Sequence, residues 1–492
     1  MFTEFSQLTV SNSFADELPF LYRQVSPQPL THPECLHVNR RLAQSLGLSD
    51  ALIDSPDFLT LVAGAGALPG GKIIATAYSG HQFGVWAGQL GDGRAHLLGE
   101  VHDPQGRPFE WQLKGSGLTP YSRMGDGRAV LRSTVREYLA SEAMWGLGIP
   151  TTGALGIVTS DDPVYRETVE TAAIVLRTAP SFIRFGTFEQ IRRDASQVRD
   201  LLHYVCRRFY PDCYQDSKGQ QRPDAEMAVA FLQQVTHKTA VLIADWLTVG
   251  FCHGVMNTDN MSVLGLTIDY GPYGFMDRFQ ANHICNATDA GGRYAWNAQA
   301  SIGYWNLHRL AGCFLGLGLT AEELKAALSA YEAQFLTRYR ENLRQKFGFQ
   351  QWQPQDDVLA EDWWSLLHHH HADFTNSFRA LADVPEDRQA FAARFNHSEA
   401  VNHWLDDYLA RILQEDRNPE DRQAQMNAVN PVYILRNHLA QQAIEQAQQG
   451  DASEIERLLT LLRAPFTPRE GYEAYAEPLP EGVAAVALSC SS

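Results

Sequence analysis

The sequence predicts an α+β protein of two lobes, β-rich at its N-terminal end and helical beyond, with a helical C-terminal extension. Residues 72–113 alternate short apolar runs with glycine-marked turns. A stretch free of glycine and proline, Val130–Met144, comes next, and helical periodicity dominates after about Phe188. The predicted division is 1–187 for a β-rich nucleotide-binding lobe, 188–350 for a helical lobe and 351–492 for the extension and tail.

Within the first segment, His96-Leu97-Leu98 and Phe109-Glu110-Trp111-Gln112-Leu113 read as strands, punctuated by Gly91-Asp92-Gly93 and Asp103-Pro104-Gln105-Gly106. Leu131, Thr134, Val135, Tyr138 and Leu139 then recur at helical spacing, and Gly146-Leu147-Gly148-Ile149-Pro150 stops that helix. Ala172–Leu176 reads as a buried strand returning to the same lobe. Ala225–Thr248 is the clearest long helix, with Met227, Phe231, Leu232, Val235, Leu242 and Trp246 on its apolar side. Helical periodicity resumes in Trp305–Leu317, Ala321–Phe347, Ala400–Leu413, Pro431–Gln448 and Ser453–Leu462. The tail from Arg463 to Ser492 mixes proline, glycine and acidic residues and reads as irregular.

Composition narrows the function classes. The 492 residues are 45% hydrophobic, enough for a core larger than a single domain usually builds. A formal net charge of −17 argues against a general nucleic-acid binder. The N-terminus lacks the basic and apolar regions of a secretory signal, and no apolar run reaches the ~18–20 residues needed to cross a bilayer. A soluble, cytoplasmic protein with no membrane partner is expected. Seven scattered cysteines form no CxxC or zinc spacing and read mostly as reduced core residues. The run His368-His369-His370-His371 points in different directions on a helix and is not expected to converge on one ion.

Three segments carry chemistry. Gly88-Gln89-Leu90-Gly91-Asp92-Gly93-Arg94 lies between strand-like runs, where closely spaced glycines let backbone amides approach phosphate. Taken alone it also fits a simple hairpin turn. Lys114 ends a strand and Glu137 lies 23 positions later inside a helix, the order of the strand lysine and helix glutamate of protein kinases. His253-Gly254-Val255-Met256-Asn257-Thr258-Asp259-Asn260 then overlays the kinase catalytic loop, with Asn260 at the metal-binding asparagine and Asp269, opening Asp269-Tyr270-Gly271, at the metal-binding aspartate. Val255 stands where a kinase has its catalytic aspartate, and valine accepts no proton. The nearest carboxylate able to substitute is Asp259. Together and in this order, the motifs predict a protein-kinase-like bilobal fold that binds ATP with Mg²⁺ or Mn²⁺, ions that suit carboxylate and amide oxygens.

The strings Tyr78-Ser79-Gly80-His81-Gln82-Phe83-Gly84, Lys114-Gly115-Ser116-Gly117-Leu118-Thr119-Pro120-Tyr121-Ser122-Arg123, Asp126-Gly127-Arg128-Ala129-Val130-Leu131-Arg132-Ser133 and His253 through Met261 resemble those of the selenoprotein O (YdiU) family. The similarity covers nearly the whole chain. The resemblance implies a kinase-like fold, long classed as a pseudokinase, that binds ATP inverted and transfers AMP to Ser, Thr or Tyr hydroxyls of proteins. By motif it implies nucleotide contacts at Gly91, Gly93, Arg94, Lys114, Asp126, Gly127, Arg177, Arg184 and Asp269. It places the metal on Asn260 and Asp269 and the proton acceptor at Asp259, with Glu137 orienting Lys114. UMP transfer from UTP is a variant of the same chemistry. Cys490 falls where some relatives carry selenocysteine, which makes a disulfide with Cys285 a candidate. A conventional kinase of protein or small molecule, and a silent ATP-binding pseudokinase, are the rival readings.

Overall fold

The computed structural model describes residues 1–480 and 482–489 of the chain. In chain order the first strands are Val10–Ser11 (β1), Tyr22–Gln24 (β2), Glu34–Val38 (β3), Ile74–Thr76 (β4), Ser79–Gln82 (β5), Val85–Gln89 (β6), Ala95–His102 (β7) and Pro108–Lys114 (β8). Ala129–Val130 (β9), Gly153–Tyr165 (β10) and Val169–Ala179 (β11) complete the N-terminal set, and Phe251–Cys252 (β12) and Gly274–Phe275 (β13) make a ribbon further on. The main sheet runs β2-β4-β7-β8-β11-β10-β3 and is antiparallel, with β1 added to β7 and β9 to β11. The protein is therefore mixed α+β.

The sheet is larger than the sequence suggests. Strand β10 is not announced by alternation because Ala154, Leu155, Ile157 and Val158 are all buried, and the register slips between Thr159 and Pro163. Burial of both faces extends through the central strands β7, β8 and β11. Along β11, Ala173, Val175 and Ala179 join the large core, while Ala172, Ile174 and Leu176 join a smaller one. The smaller core is closed by short helices over Arg40–Ser45, Asp50–Ile53 and Pro56–Val62, which contribute Leu52, Phe58 and Leu61.

The predicted first helix is present as Leu131–Gly146, and the long helix as Asp224–Thr248 with every named apolar residue buried. The large core continues without a break from Leu139 through Val235 and Trp363 to Leu458. Ala321–Phe347 is two helices, Ala321–Ala327 and Tyr331–Phe347, the first fixed at its start by a Thr320–Glu323 capping box. Of Pro431–Gln448 only Asn437–Ala447 is helical, because the amides of Val432 and Tyr433 donate to Pro465 O at 2.7 and 3.1 Å instead of to a preceding turn. After Leu462 the only helical element among the described residues is a turn at Glu473–Tyr475. No described helix is long and apolar enough to cross a membrane. The helix Asp356–His369 ends inside the histidine run, and no cluster of three or more His, Cys, Asp or Glu placed to hold a metal occurs among the described residues.

Candidate active site

Strand alternation decides which side chains reach the cleft. Trp111 and Leu113 of β8 point into the smaller core, so Gln112 and Lys114 point the other way. On β11, Arg177 lies opposite Gln112 in register and shares their face. The helix Leu131–Gly146 brings Glu137 up against them. Lys114 Nζ is 2.6 Å from Glu137 Oε2, and Arg177 Nη1 is 2.9 Å from Glu137 Oε1. Asp269 closes the cluster, its Oδ1 2.6 Å from Arg177 Nη1 and 3.9 Å from Lys114 Nζ, and its other oxygen held by Arg184. Two carboxylates thus face three cations. Burial alone would raise the Asp269 carboxyl, but the charges of Arg184, Arg177 and Lys114 hold it well below the usual carboxylate range.

The short pairing of β12 with β13 draws residues 253–273 into one excursion from the helical part. His253 is buried, its Nε2 2.9 Å from Ile268 O and its ring 5.3 Å from that of Trp246, a structural rather than a chemical placement. Asp269 sits at φ 56°, a left-handed conformation uncommon for a residue with a side chain. Asn260 donates Nδ2 to Val255 O at 3.0 Å, which leaves its amide oxygen for the cleft. Asp259 occupies a single turn of 3-10 helix, Thr258–Asn260. Its Oδ2 accepts from Gln82 Nε2 at 3.2 Å, while its buried Oδ1 has no hydrogen-bond partner. Burial pushes this carboxyl up to about 7, against the opposing hydrogen bond from Gln82 and charge of Arg184. Close approach needs glycine here: a side chain at Gly80 would come within 2.7 Å of Asp259 Oδ1.

Across the cleft lie the glycine turn and the segment 117–128. Gly91 has φ 129° and Gly127 φ 73°. A side chain at Gly91 would strike the Tyr121 ring at 2.5 Å, so this glycine is required by its neighbour as well as by open access to the cleft. Thr119 Oγ1 donates to Asp92 O at 2.7 Å, tying the two segments together. Asp126 is held bidentately by Arg166, at 2.7 and 3.0 Å, from the turn between β10 and β11. Arg94 is exposed in the cleft; its carbonyl accepts from the Gly115 amide at 2.7 Å, while its side chain has no ion-pair or hydrogen-bond partner among the described residues.

Gly91, Gly93, Arg94, Lys114, Asp126, Gly127, Arg177, Asp259, Asn260 and Asp269 all line this one cleft, of about 500 Å³. Arg184 does not. It is buried behind the wall, gripping Asp269 and donating to Asp259 O at 2.9 Å, with Tyr78 stacked on it. Gln82, Tyr121 and Arg166 belong to the site but were given no role from sequence, although Gln82 and Tyr121 fall within the family-like strings 78–84 and 114–123. Their partners lie 177, 30 and 40 positions away, as in Gln82 to Asp259, Gly91 to Tyr121 and Arg166 to Asp126, so no local pattern assigns the contact. Cys285 is free, its Sγ 3.4 Å from Cys252 O, and Cys490 lies outside the described residues.

An uncommitted guanidinium, a glycine turn and an ionised aspartate beside an available amide oxygen suit a polyphosphate with a hard cation. Comparison with known proteins decides the family. The description "Protein adenylyltransferase SelO" matches residues 4–463. The chain belongs to the SelO family. It is 53% identical to the protein nucleotidyltransferase YdiU of Bordetella avium over the whole of both chains. It is 47% identical to that of Klebsiella pneumoniae subsp. pneumoniae over 99% of this chain and all of the relative. As a SelO-family member the chain is a nucleotidyltransferase with ATP as substrate.

Proposed function

We propose that this enzyme transfers AMP from ATP to Ser, Thr or Tyr hydroxyls of proteins, from a kinase-like arrangement of segments 1–187 and 188–350 with 351–492 as a buttress, in the cytoplasm. The observation that carries the reading is Asp259. Asp259 lines the same cleft as Arg94 and Lys114, one of its carboxylate oxygens has no hydrogen-bond partner, and its raised pKa suits a proton acceptor near neutrality.

Arg94, Lys114 and Arg177 neutralise the phosphates, and the amides around Gly91, Gly93 and Gly127 approach their oxygens. Arg184 acts from behind by fixing Asp269. Asn260 and Asp269 would hold Mg²⁺ or Mn²⁺, which when bound offsets charge on the phosphates. The acceptor oxygen attacks the α-phosphorus, the bond from that phosphorus to the bridging oxygen breaks, and pyrophosphate leaves. The hydroxyl proton goes to the Asp259 carboxylate. Asp126 is set by Arg166 at the mouth, where it orders the segment 117–128 over the nucleotide. UTP in place of ATP would pass UMP by the same steps.

Incubation with a protein acceptor, Mg²⁺ or Mn²⁺ and ATP labelled at the α or γ position tests the reading. Label is expected on protein from the α position alone, with a mass gain matching AMP. Label from the γ position would make the protein a kinase, and label from neither, with ATP bound, a silent pseudokinase.

A further inference from the structure

The β5–β6 hairpin borders Asp259 with side chains that nucleotide binding leaves unexplained. His81, on β5, is hydrogen-bonded to Glu189 at 2.6 Å, its ring 5.1 Å from Trp86 and 5.4 Å from Trp305. Each tryptophan carries at least one guanidinium group. Arg192 sits 3.7 Å over the Trp86 ring, and Arg293 and Arg309 sit 4.7 and 4.9 Å over Trp305. None of the three has a carboxylate partner among the described residues. The nearby carboxylates are already engaged: Glu189 by His81 and Thr258, and Asp289 by the amides of Arg293 and Tyr294. Burial and then the charges of Arg309 and Lys325 lower the His308 pKa, which marks the same positive field.

In a chain of net charge −17 an uncompensated cluster of arginines is not a consequence of composition. Nor is the hairpin withdrawn from solvent, since Val85 is 70% and Trp86 37% exposed. The surface starts beside the chemistry, because Gln82, next to His81, reaches Asp259 Oδ2 at 3.2 Å. At the hairpin tip, Gly84 packs on the Arg293 guanidinium, which a side chain there would meet at 2.9 Å. Arg192 Nη1 already donates to Glu189 O at 3.1 Å and Arg293 Nε is buried, but the other edge N–H groups of a guanidinium stacked on an indole remain to pair with a carboxylate.

We propose that Trp86 and Trp305, faced by Arg192, Arg293 and Arg309, form the docking surface for the protein acceptor and select hydroxyls flanked by acidic residues. For the chemical step after docking, the proposal rests on the AMP-transfer reading of the cleft. Its test does not need transfer. Two fluorescent synthetic peptides of equal length, one serine flanked by glutamates and one by lysines, are titrated with the full chain and ATP while anisotropy is read. The acidic peptide is expected to bind about tenfold more tightly, an advantage that shrinks with added salt.

Arg192→Glu/Arg309→Glu is expected to abolish that preference with calorimetric ATP affinity unchanged, which also reports folding. Arg309→Gln, at an exposed position, is expected to act in the same direction with smaller amplitude. In the labelled transfer assay the double variant raises KM for the acidic peptide and spares kcat. Equal binding of both peptides by the unaltered protein, or a preference that survives both variants, overturns the proposal. Selective binding with no label transferred upholds the surface and overturns the AMP-transfer reading instead.

Discussion

Arg177 on β11 joins Glu137 and Asp269 through one guanidinium nitrogen, 2.9 Å from Glu137 Oε1 and 2.6 Å from Asp269 Oδ1. The sheet, the helix Leu131–Gly146 and the loop after β12 are thereby locked at a single buried atom, and the orientation of Lys114 is set by the same pair of carboxylates.

Arg177→Ala leaves Glu137 and Asp269 with Lys114 and Arg184 alone. Breaking such a buried pair costs about 3–5 kcal/mol, and transfer is expected to fall by about a hundredfold or more. Arg177→Lys should not rescue it, because a single ammonium cannot hold Glu137 and Asp269 and also reach Gln112, which the second guanidinium nitrogen binds. Urea unfolding and transfer from α-labelled ATP measure the two effects. Normal transfer by the lysine variant would show that the bridge does not position the phosphates.

Asp269→Ala removes a metal ligand and at the same time frees Arg177 and Arg184. The expected outcome is loss of the gain in ATP affinity on adding Mg²⁺ or Mn²⁺, with metal-free affinity retained because the two cations stay. Calorimetric titration with and without the ion checks this. A gain of the same size in the variant would place the ion elsewhere.

Asp259 titrates at about 7 through burial. Only its ionised form accepts a proton, so kcat/KM should rise with pH through neutrality and level off above. Asp259→Asn should lower kcat by about a hundredfold or more and flatten that limb while nucleotide affinity persists. A pH–rate profile with the same limb in the asparagine variant would assign it to another group.

Stability carries its own pH signature at Glu110. Burial pushes its carboxyl up to about 8, opposed by hydrogen bonds from the Phe182 amide and the Ser181 hydroxyl. Its unfolded value is about 4.3. The folded state therefore binds more protons between these values, and the contribution, complete below the unfolded pKa, is lost as pH rises through about 8. Glu110→Gln, neutral throughout, is expected to flatten the decline by an amount on the order of 2–4 kcal/mol between the two ends of the window. Urea midpoints across that range give the slope. A slope unaltered by the substitution would mean that Glu110 is ionised in the folded protein.

Local periodicity was enough to read the α+β character and the helices Leu131–Gly146 and Asp224–Thr248 from the sequence. Contiguous strings such as Lys114–Arg123 and His253–Met261 likewise disclosed most of the cleft-lining residues. Strand β10 stayed hidden because its buried faces erase alternation, and so did the break at Leu328–Ala330, where helical propensity runs on but the chain turns. Packing alone put Arg184 behind the cleft holding Asp269, and Arg166 on Asp126. The same is true of Asp259, left with one partnerless oxygen, and of three arginines gathered on two tryptophans beside it. These contacts join residues far apart in the chain, and burial, which sets the charge of each group, is a property of the packed whole.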